Sequence, residues 1–456
     1  KKIPDESARV PVYNYFRPRA AKWPKSNFVI GNPPFIGNKR MRKRLGENYV
    51  AAVRAAWPRV PKNVDLVMYW WDRCSELVRS DQIRRFGLVS TNSIKQVSNR
   101  VILETSKKAR PSLFLTHAIP DHPWMDEETT AQVRISMTVA AKGNGTGVLE
   151  KIKTERKVKG QPNVVSMESN IGRIHSNLSI GPNVAEATAL KANKKLSFMG
   201  VIPSGTGFRI TSDELLTLGY DPEKVPFVVR RYLVGNELTD NEPPGFIIDY
   251  NGLSEGEARQ ASPELFQHVL DGVKEDRKTR SGGTADSQQY ASQWWLFAKT
   301  RPEMRKALEG KPRYIATTET SKHRWFTFLD VEILPDQKIR GVASSDAYVL
   351  GVLSSKVHTL WSDAAGGRQG VGNDPVYNNT TCFEPFPFPA EVSQSLIQQI
   401  REHAEELDRT RKGVLTQHRE LTWTEIYNVC AAISEGAELS EHDREIHGKG
   451  LVSLLT

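Results

Sequence analysis

The stretch Asn27-Phe-Val-Ile-Gly-Asn-Pro-Pro-Phe35 decides the fold. Its first five residues form an apolar run that halts at Pro33-Pro34, as a short buried strand does when a proline pair follows it. Asn32-Pro33-Pro34-Phe35 then sits at the carboxyl edge of a strand, where open α/β sheets place their ligands. Two prolines hold the backbone extended and remove two amide donors. The carbonyls of Asn32 and Pro33 are left as acceptors, Asn32 adds a side-chain carbonyl, and Phe35 adds a flat apolar surface.

Outward from that point, residues 64–78 carry a helical pattern with Leu66, Trp70, Cys74 and Leu77 or Val78 on one face. Phe86-Gly-Leu-Val-Ser-Thr91 predicts a strand ending at Asn92-Ser93, and residues 112–119 and 133–141 predict two more. Strands alternating with helices imply an α/β sheet over residues 1–150. Gly143-Asn-Gly-Thr-Gly147 reads as a turn-rich break, and basic, polar sequence over 151–199 reads as a connecting segment. Residues 200–389, with short strands, glycines, prolines and aromatics, predict an α+β module with long loops. Phe383-Glu-Pro-Phe-Pro-Phe-Pro389 marks its exit, since such a run fits neither a central strand nor a helix interior. The end, 390–456, is read as helical, with helices over 391–412 and 421–433. No repeat occurs at a period of 20 to 50 residues.

With 456 residues, 38% hydrophobic and 25% charged, the chain has ordinary globular composition and room for two or three domains. No apolar stretch approaches the ~18 residues that span a bilayer, and no secretory segment opens the chain. Lys1 in place of Met implies a start within a longer product. Cys74, Cys382 and Cys430 are far apart and form no CxxC pair, so no metal site or disulfide framework is expected, and a reducing cytoplasm fits. The net charge is +10, and residues 1–60 hold fourteen Lys and Arg against Asp5, Glu6 and Glu47, a local balance of +11. Such a cluster favours a polyanion through release of condensed counterions.

The acceptors and ring of Asn32-Pro33-Pro34-Phe35 fit an exocyclic amine on a planar base. An aromatic amine is a poor nucleophile because its lone pair is delocalised. Two acceptors gripping its hydrogens favour a pyramidal nitrogen, and Phe35 can stack on a base flipped from the duplex, a step costing a few kcal/mol. No base need act first, since the proton can leave after transfer. The same four residues could also be only a rigid turn between strand and loop.

The tetrapeptide resembles motif IV of the amino-methyltransferases. The longer string Val29-Ile-Gly-Asn-Pro-Pro-Phe-Ile-Gly-Asn-Lys-Arg-Met-Arg42 is similar to the type IIL-like (gamma-class) S-adenosylmethionine (SAM)-dependent DNA adenine-N6 methyltransferases of restriction–modification systems. The resemblance continues through Asp65-Leu-Val-Met-Tyr-Trp-Trp71, Gly87-Leu-Val-Ser-Thr-Asn-Ser-Ile94 and Asn99-Arg100. It returns in Gly205-Thr-Gly-Phe-Arg209, Arg230-Arg-Tyr-Leu233, Thr317-Thr-Glu-Thr-Ser-Lys-His-Arg-Trp-Phe326 and Gly366-Gly-Arg-Gln-Gly-Val-Gly-Asn-Asp-Pro-Val-Tyr377.

That resemblance implies the later part of a Rossmann-like SAM-methyltransferase sheet, then a target recognition domain over 200–389 and C-terminal helices. It implies Asn32, Pro33, Pro34 and Phe35 as the catalytic, base-holding set, with Asn32, Asp65 and Tyr69 bordering SAM and Asn92-Ser93 beside that pocket. The implied partner is double-stranded DNA. Lys39, Arg40, Arg42, Lys43 and Arg44 follow the motif closely enough to hold phosphates, and Lys322, Arg324 and Arg368 fall in the recognition module. The family's glycine-rich SAM loop and ribose-binding acid precede motif IV, so an upstream segment of the same protein is expected to carry them. Half a sheet would also leave an open edge.

Several other features lead elsewhere. Gly205-Thr-Gly207 imitates a SAM loop but lies in the recognition module, and a lone GxG is weak. None of the three cysteines follows proline, as cytosine-C5 chemistry would want. Glu309-Gly-Lys311 lacks an upstream Pro-Asp and reads as surface, not a nuclease centre. Asp121-His122 beside Trp124 lacks a nucleophile or a third metal ligand. Two rivals to adenine methylation stay open on the sequence. One is cytosine-N4 methylation; the other is a sequence-reading DNA-binding module whose catalytic half is lost or inactive. Methylation of RNA or protein fits the long recognition module and basic start less well.

Overall fold

The computed structural model describes residues 13–126, 129–156, 164–281, 285–369 and 374–448. The apolar run before the proline pair forms strand β1, Phe28–Gly31. After it come helices α1 (Asn38–Leu45), α2 (Glu47–Ala56) and α3 (Val67–Arg79), strand β2 (Arg85–Thr91) and helix α4 (Val97–Lys108). Strands β3 (Leu113–Asp126), β4 (Thr129–Lys142), β5 (Gly147–Arg156) and β6 (Val164–Gly172) complete one six-stranded sheet in the order β1-β2-β4-β3-β5-β6. β1 and β2 are parallel, β4 runs antiparallel to both β2 and β3, and β5 is parallel to β3. All of this belongs to the first of two units, Lys1–Asn183; the second is Val184–Thr456.

α3 supplies the first unit's core. It buries Met68, Trp71, Cys74, Leu77 and Val78, with Trp71 edge-on to Phe86 of β2 at 5.1 Å between centroids. Each such side chain contributes ~1.5–3 kcal/mol by leaving water. The helix starts at Val67, not at 64, because residues 65–69 enter it through tight turns, with Met68 N donating to Asp65 O and Tyr69 N to Leu66 O.

β3 and β4 run further than the expected 112–119 and 133–141. Pro120 and Pro123 lie inside β3; the register shift between Ile119 and His122 absorbs Pro120, as a bulge does for a residue that cannot donate to a ladder, while Pro123 stays in register opposite Arg134. The connecting stretch after Ala141 also differs from its polar appearance, because 147–156 and 164–172 extend the sheet. β6 buries none of its residues fully, and a sheet wetted on one face needs little apolar alternation to announce it. Gly147 is a close approach of backbones: a Cβ there would lie 2.2 Å from the Leu115 carbonyl oxygen.

In the second unit, short strands build two four-stranded sheets. They are β7 (Ser197–Met199), β8 (Arg209–Ile210), β9 (Val229–Leu233), β10 (Gly245–Ile248), β11 (Arg313–Thr318), β12 (Thr327–Asp330), β13 (Ile333–Pro335) and β14 (Ile339–Val342). Their orders are β13-β9-β10-β8 and β12-β11-β14-β7, and β15 (Gly367–Gln369) pairs with β16 (Asp374–Val376) as a separate hairpin. Helices Gln394–Gln417 and Trp423–Ser434 follow, each with a side-chain N-cap, from Ser393 and Thr422. They share the sheets' core: Leu415, Leu421, Ile426 and Val429 are buried with Phe246 and Tyr314, and Trp423 stacks on Trp325 at 4.2 Å. Phe383 and Phe386 of the proline-rich exit are also buried, with Phe386 4.5 Å from the His358 ring. Among the described residues, no helix is long and apolar enough to cross a membrane.

Candidate active site

The Asn32–Phe35 loop leaves the carboxyl end of β1 with alternating exposure. Asn32 and Pro34 are exposed, Pro33 is buried and Phe35 is half-buried. Among the described residues, the Asn32 side chain makes no hydrogen bond. The turn after it is closed by Ile36 N donating to Pro34 O at 3.2 Å, and Ile36 O accepts from Leu66 N at 2.9 Å. The loop is thus tied to the lead-in of α3.

Asp65 occupies the centre of that tie. Its Oδ1 accepts from the Asn38 backbone amide at 2.8 Å, and its Oδ2 accepts from Ser93 Oγ at 2.7 Å and Asn99 Nδ2 at 2.8 Å. Its own amide donates to Asn99 Oδ1 at 2.9 Å. Asn99 Nδ2 also reaches the Ser93 carbonyl at 3.0 Å, and Thr91 Oγ1 is 2.6 Å from Ser93 Oγ. Arg54 adds a further link by donating to Asn38 Oδ1 at 3.1 Å. In the sequence, the resemblance sets Ser93 beside the SAM pocket and includes Asn99, but nothing there joins either to Asp65. Their separation from Asp65 by 28 and 34 positions hides the partnership until the chain folds. Tyr69, expected beside Asp65, is only 4% exposed and edge-on to Trp57. Burial raises its hydroxyl pKa against the opposing charge of Arg54.

The five cations after the loop lie on α1, and all five are exposed while Met41 is fully buried as the helix's anchor. Arg42 pairs with Glu47 at 3.2 Å. Gly46, at φ +85°, ends the helix.

The candidates in the second unit differ from one another. Arg324 turns inward: it donates to Thr317 Oγ1 at 2.9 Å, Thr318 O at 2.5 Å and Pro375 O at 3.2 Å, and lies over the Tyr377 ring. Burial pushes its pKa down to about 10. Lys322 is exposed and donates to Asn428 Oδ1 at 2.6 Å, and Trp325 is core. Arg368 stands in β15 opposite Pro375; its side chain and residues 370–373 lie outside the described residues.

The distracting motifs have structural occupations. Asp121 pairs with Arg134 at 2.7 Å, and His122 Nδ1 contacts the Pro123 carbonyl at 2.7 Å. Gly207 packs on Gly272, where a Cβ would meet that residue's Cα at 2.7 Å. Glu309-Gly-Lys311 helps line a cleft of about 610 Å³ together with Arg230, Arg305 and Lys306. Burial pushes the Cys74 thiol up to about 12 and raises those of Cys382 and Cys430, which suits inert core residues.

Comparisons with known proteins match the same division. Residues 4–146 match the family described as MmeI, DNA-methyltransferase domain, and residues 185–390 match MmeI, target recognition domain. DNA methyltransferase A of Bacillus subtilis (strain 168) is 21% identical over 382 residues, which are 82% of this chain and 40% of that protein. The structure of the type IIL restriction–modification enzyme MmeI in complex with DNA superposes with a TM-score of 0.67 at 18% identity, covering 94% of this chain and 53% of that one. The chain therefore spans about half the length, or less, of these relatives. With an α/β unit bearing Asn-Pro-Pro-Phe at a strand's carboxyl end, a two-sheet unit later in the chain, and both domain families matched in that order, the chain belongs to the MmeI family of DNA methyltransferases with a target recognition domain.

Proposed function

We propose that this chain, within its longer protein, transfers a methyl group from SAM to the exocyclic N6 of an adenine flipped out of duplex DNA. The recognition module would choose the site. The observation that carries the reading is the Asn32–Phe35 loop: an exposed amide without an internal partner and a half-buried ring, at the carboxyl end of β1 in a methyltransferase-family domain. The Asn32 side-chain oxygen and the Pro33 carbonyl accept the two amine hydrogens, leaving the nitrogen lone pair free of the ring. Phe35 stacks on the base, which is worth ~1–3 kcal/mol. Acceptors aimed at the amine act where charge develops, and this is where such dipoles contribute most. The proton leaves after transfer, so no side chain need remove it first.

SAM supplies an electrophilic methyl when bound. Of the three residues expected beside it, Asn32 retains a free polar group at the surface. Asp65 has both carboxylate oxygens engaged and Tyr69 is interior. We therefore assign the SAM-facing role in this chain to Asn32 at the sheet edge. The remaining interactions fall to upstream sequence, for which β1 offers a face: among the described residues it pairs only with β2, and Ile30 and Phe28 are 89% and 55% exposed.

Adenine is assigned over cytosine because Asn with Phe is the commoner pairing on the adenine side of the resemblance. The test is mass spectrometry of nucleosides from DNA treated with the full-length protein and SAM. N6-methyladenine is expected. N4-methylcytosine would overturn the base assignment, and no methylated base would overturn the reading.

A further inference from the structure

Helix α1 begins without a cap of its own. Its N-cap is Gly37, no acid stands in its first turn, and five cations crowd its remainder. A helix start with unpaired amides and a positive dipole end ordinarily attracts a local Ser, Thr, Asp or Asn. Here the capping acceptor is Asp65, 27 residues later, whose Oδ1 takes the Asn38 amide. The same carboxylate holds the Ser93 hydroxyl beyond β2 and the Asn99 amide in α4, and Leu66 beside it donates to Ile36 O at the end of the motif loop. One carboxylate thus fastens the start of the basic helix to the end of β2 and the start of α4.

Resting on the methyltransferase reading above, we propose that Asp65 is a positioning residue, not a SAM ligand. It locks the Asn32–Phe35 loop and α1 into one body, so that the group gripping the base and the cations beside it keep a fixed spacing. A carboxylate that accepts three protein donors has its acceptor capacity largely spent, and hydrogen bonds to an ionised group are among the stronger ones.

The test uses the full-length protein with Asp65→Asn, Asn99→Asp and both together. Asp65→Asn turns a donor toward Asn99 Nδ2, so donor faces donor, and it withdraws the acceptor from Ser93 Oγ. Asn99→Asp sets two carboxylates against each other. The pair restores a donor facing an acceptor between 65 and 99, while it forgoes the hydrogen bond from Asn99 Nδ2 to the Ser93 carbonyl and that from Ser93 Oγ to the residue 65 side chain, so its recovery is partial. Each single variant is expected to lower kcat about ten-fold or more, the scale of removing a charge-assisted hydrogen bond, while SAM affinity by calorimetry stays within about two-fold. The double variant is expected to exceed both singles, the mark of direct coupling.

Hydrogen exchange of the peptide spanning residues 36–45 gives a readout independent of turnover. Exchange should quicken in both singles and slow again in the double. Ser93→Ala, which removes one donor without introducing a charge, serves if either single variant fails to fold and is expected to show the same pattern more weakly. A loss of SAM affinity in Asp65→Asn matching its loss of rate, with no recovery in the double variant, would overturn the proposal. So would unchanged exchange in 36–45. An inactive wild type whose exchange nevertheless follows the expected order would count against the methyltransferase reading and leave the lock standing.

Discussion

A single amide separates a rigid turn from a reacting centre, and Asn32 is where the two readings diverge. If the turn alone mattered, Asn32→Ala would change little, since the exposed side chain holds nothing in the fold. If it grips the amine, the full-length Asn32→Ala protein should lose methyl transfer by about two orders of magnitude or more, the scale of removing one transition-state hydrogen bond. DNA affinity and urea midpoint should stay near wild type. Phe35→Ala should be milder in rate, because stacking on a base is worth only ~1–3 kcal/mol, and it should weaken binding of DNA with an unpaired target base. Arg324 presents the opposite case. Its guanidinium serves two backbone carbonyls and a threonine hydroxyl, joining Thr317-Thr318 to Pro375. Arg324→Ala leaves those acceptors unpaired, so it should destabilise the second unit by ~2 kcal/mol. Denaturation of the variant checks this. A stable protein with altered site preference would return Arg324 to base reading.

At the scale of elements, α1 should work through charge. Lys39, Arg40, Lys43 and Arg44 are exposed, whereas Arg42 already answers Glu47. Neutralising Lys39, Arg40 and Arg44 together should weaken cognate and random duplexes alike, because phosphates carry no sequence. The slope of log K against log salt should flatten by about 0.9 for each phosphate no longer neutralised. Loss of discrimination instead would show that α1 reads bases. The helix Gln394–Gln417 is held by two pairs, Arg313 with Glu405 and Arg401 with Asp346 at 2.7 Å. The arginine hydrogen bonds keep both carboxyls below their ordinary range. Their stabilisation is therefore complete above that range and lost as pH falls through the lowered values. Both carboxylates are more than a third exposed, so each pair contributes no more than ~1 kcal/mol. Glu405→Gln with Asp346→Asn should flatten the acid limb of the urea midpoint against pH. Which elements the sequence reveals follows the same physics. β2 and α3 bury apolar stripes and are legible, and β1 is legible from its apolar run, although it is not the buried strand that run predicts, since none of its residues is buried. β5 and β6 present polar faces and stay hidden. Lys322-His-Arg-Trp325 has the basic-aromatic make-up that suits a groove, yet Trp325 is claimed by Trp423 from almost a hundred residues away, a pairing no local pattern carries. The Asn-Pro-Pro-Phe loop is readable because its chemistry is contiguous, whereas the carboxylate that steadies it depends on partners brought in by the fold.

For the molecule as a whole, the location of the cores sets how it can be divided. The first unit closes around Trp71, Phe86 and Leu103, and the second around two clusters that include Phe246, Tyr314 and Phe326. The helices after residue 390 belong to the second group. Trp423 stacks on Trp325, Asp408 Oδ1 accepts from Thr327 Oγ1 at 2.6 Å and from the Phe328 amide at 3.2 Å, and Arg411 donates to the Phe326 carbonyl at 3.2 Å. Exchanging 200–389 alone for the corresponding part of a relative would set new β12 side chains against old helices. Removal of one partner from a buried polar pair costs ~1–3 kcal/mol, and mismatched core volume adds ~1–3 kcal/mol more. Such a chimera should melt well below the parent. Exchanging 184–456 keeps those partners together, and it should fold, retain a salt slope set largely by α1, and methylate the relative's sequence in place of its own. Sequencing of methylated sites together with thermal melts of both chimeras decides the matter. If the 200–389 exchange alone proves stable and respecified, the terminal helices are dispensable to the module, and the shared core carries less of its stability than the packing implies.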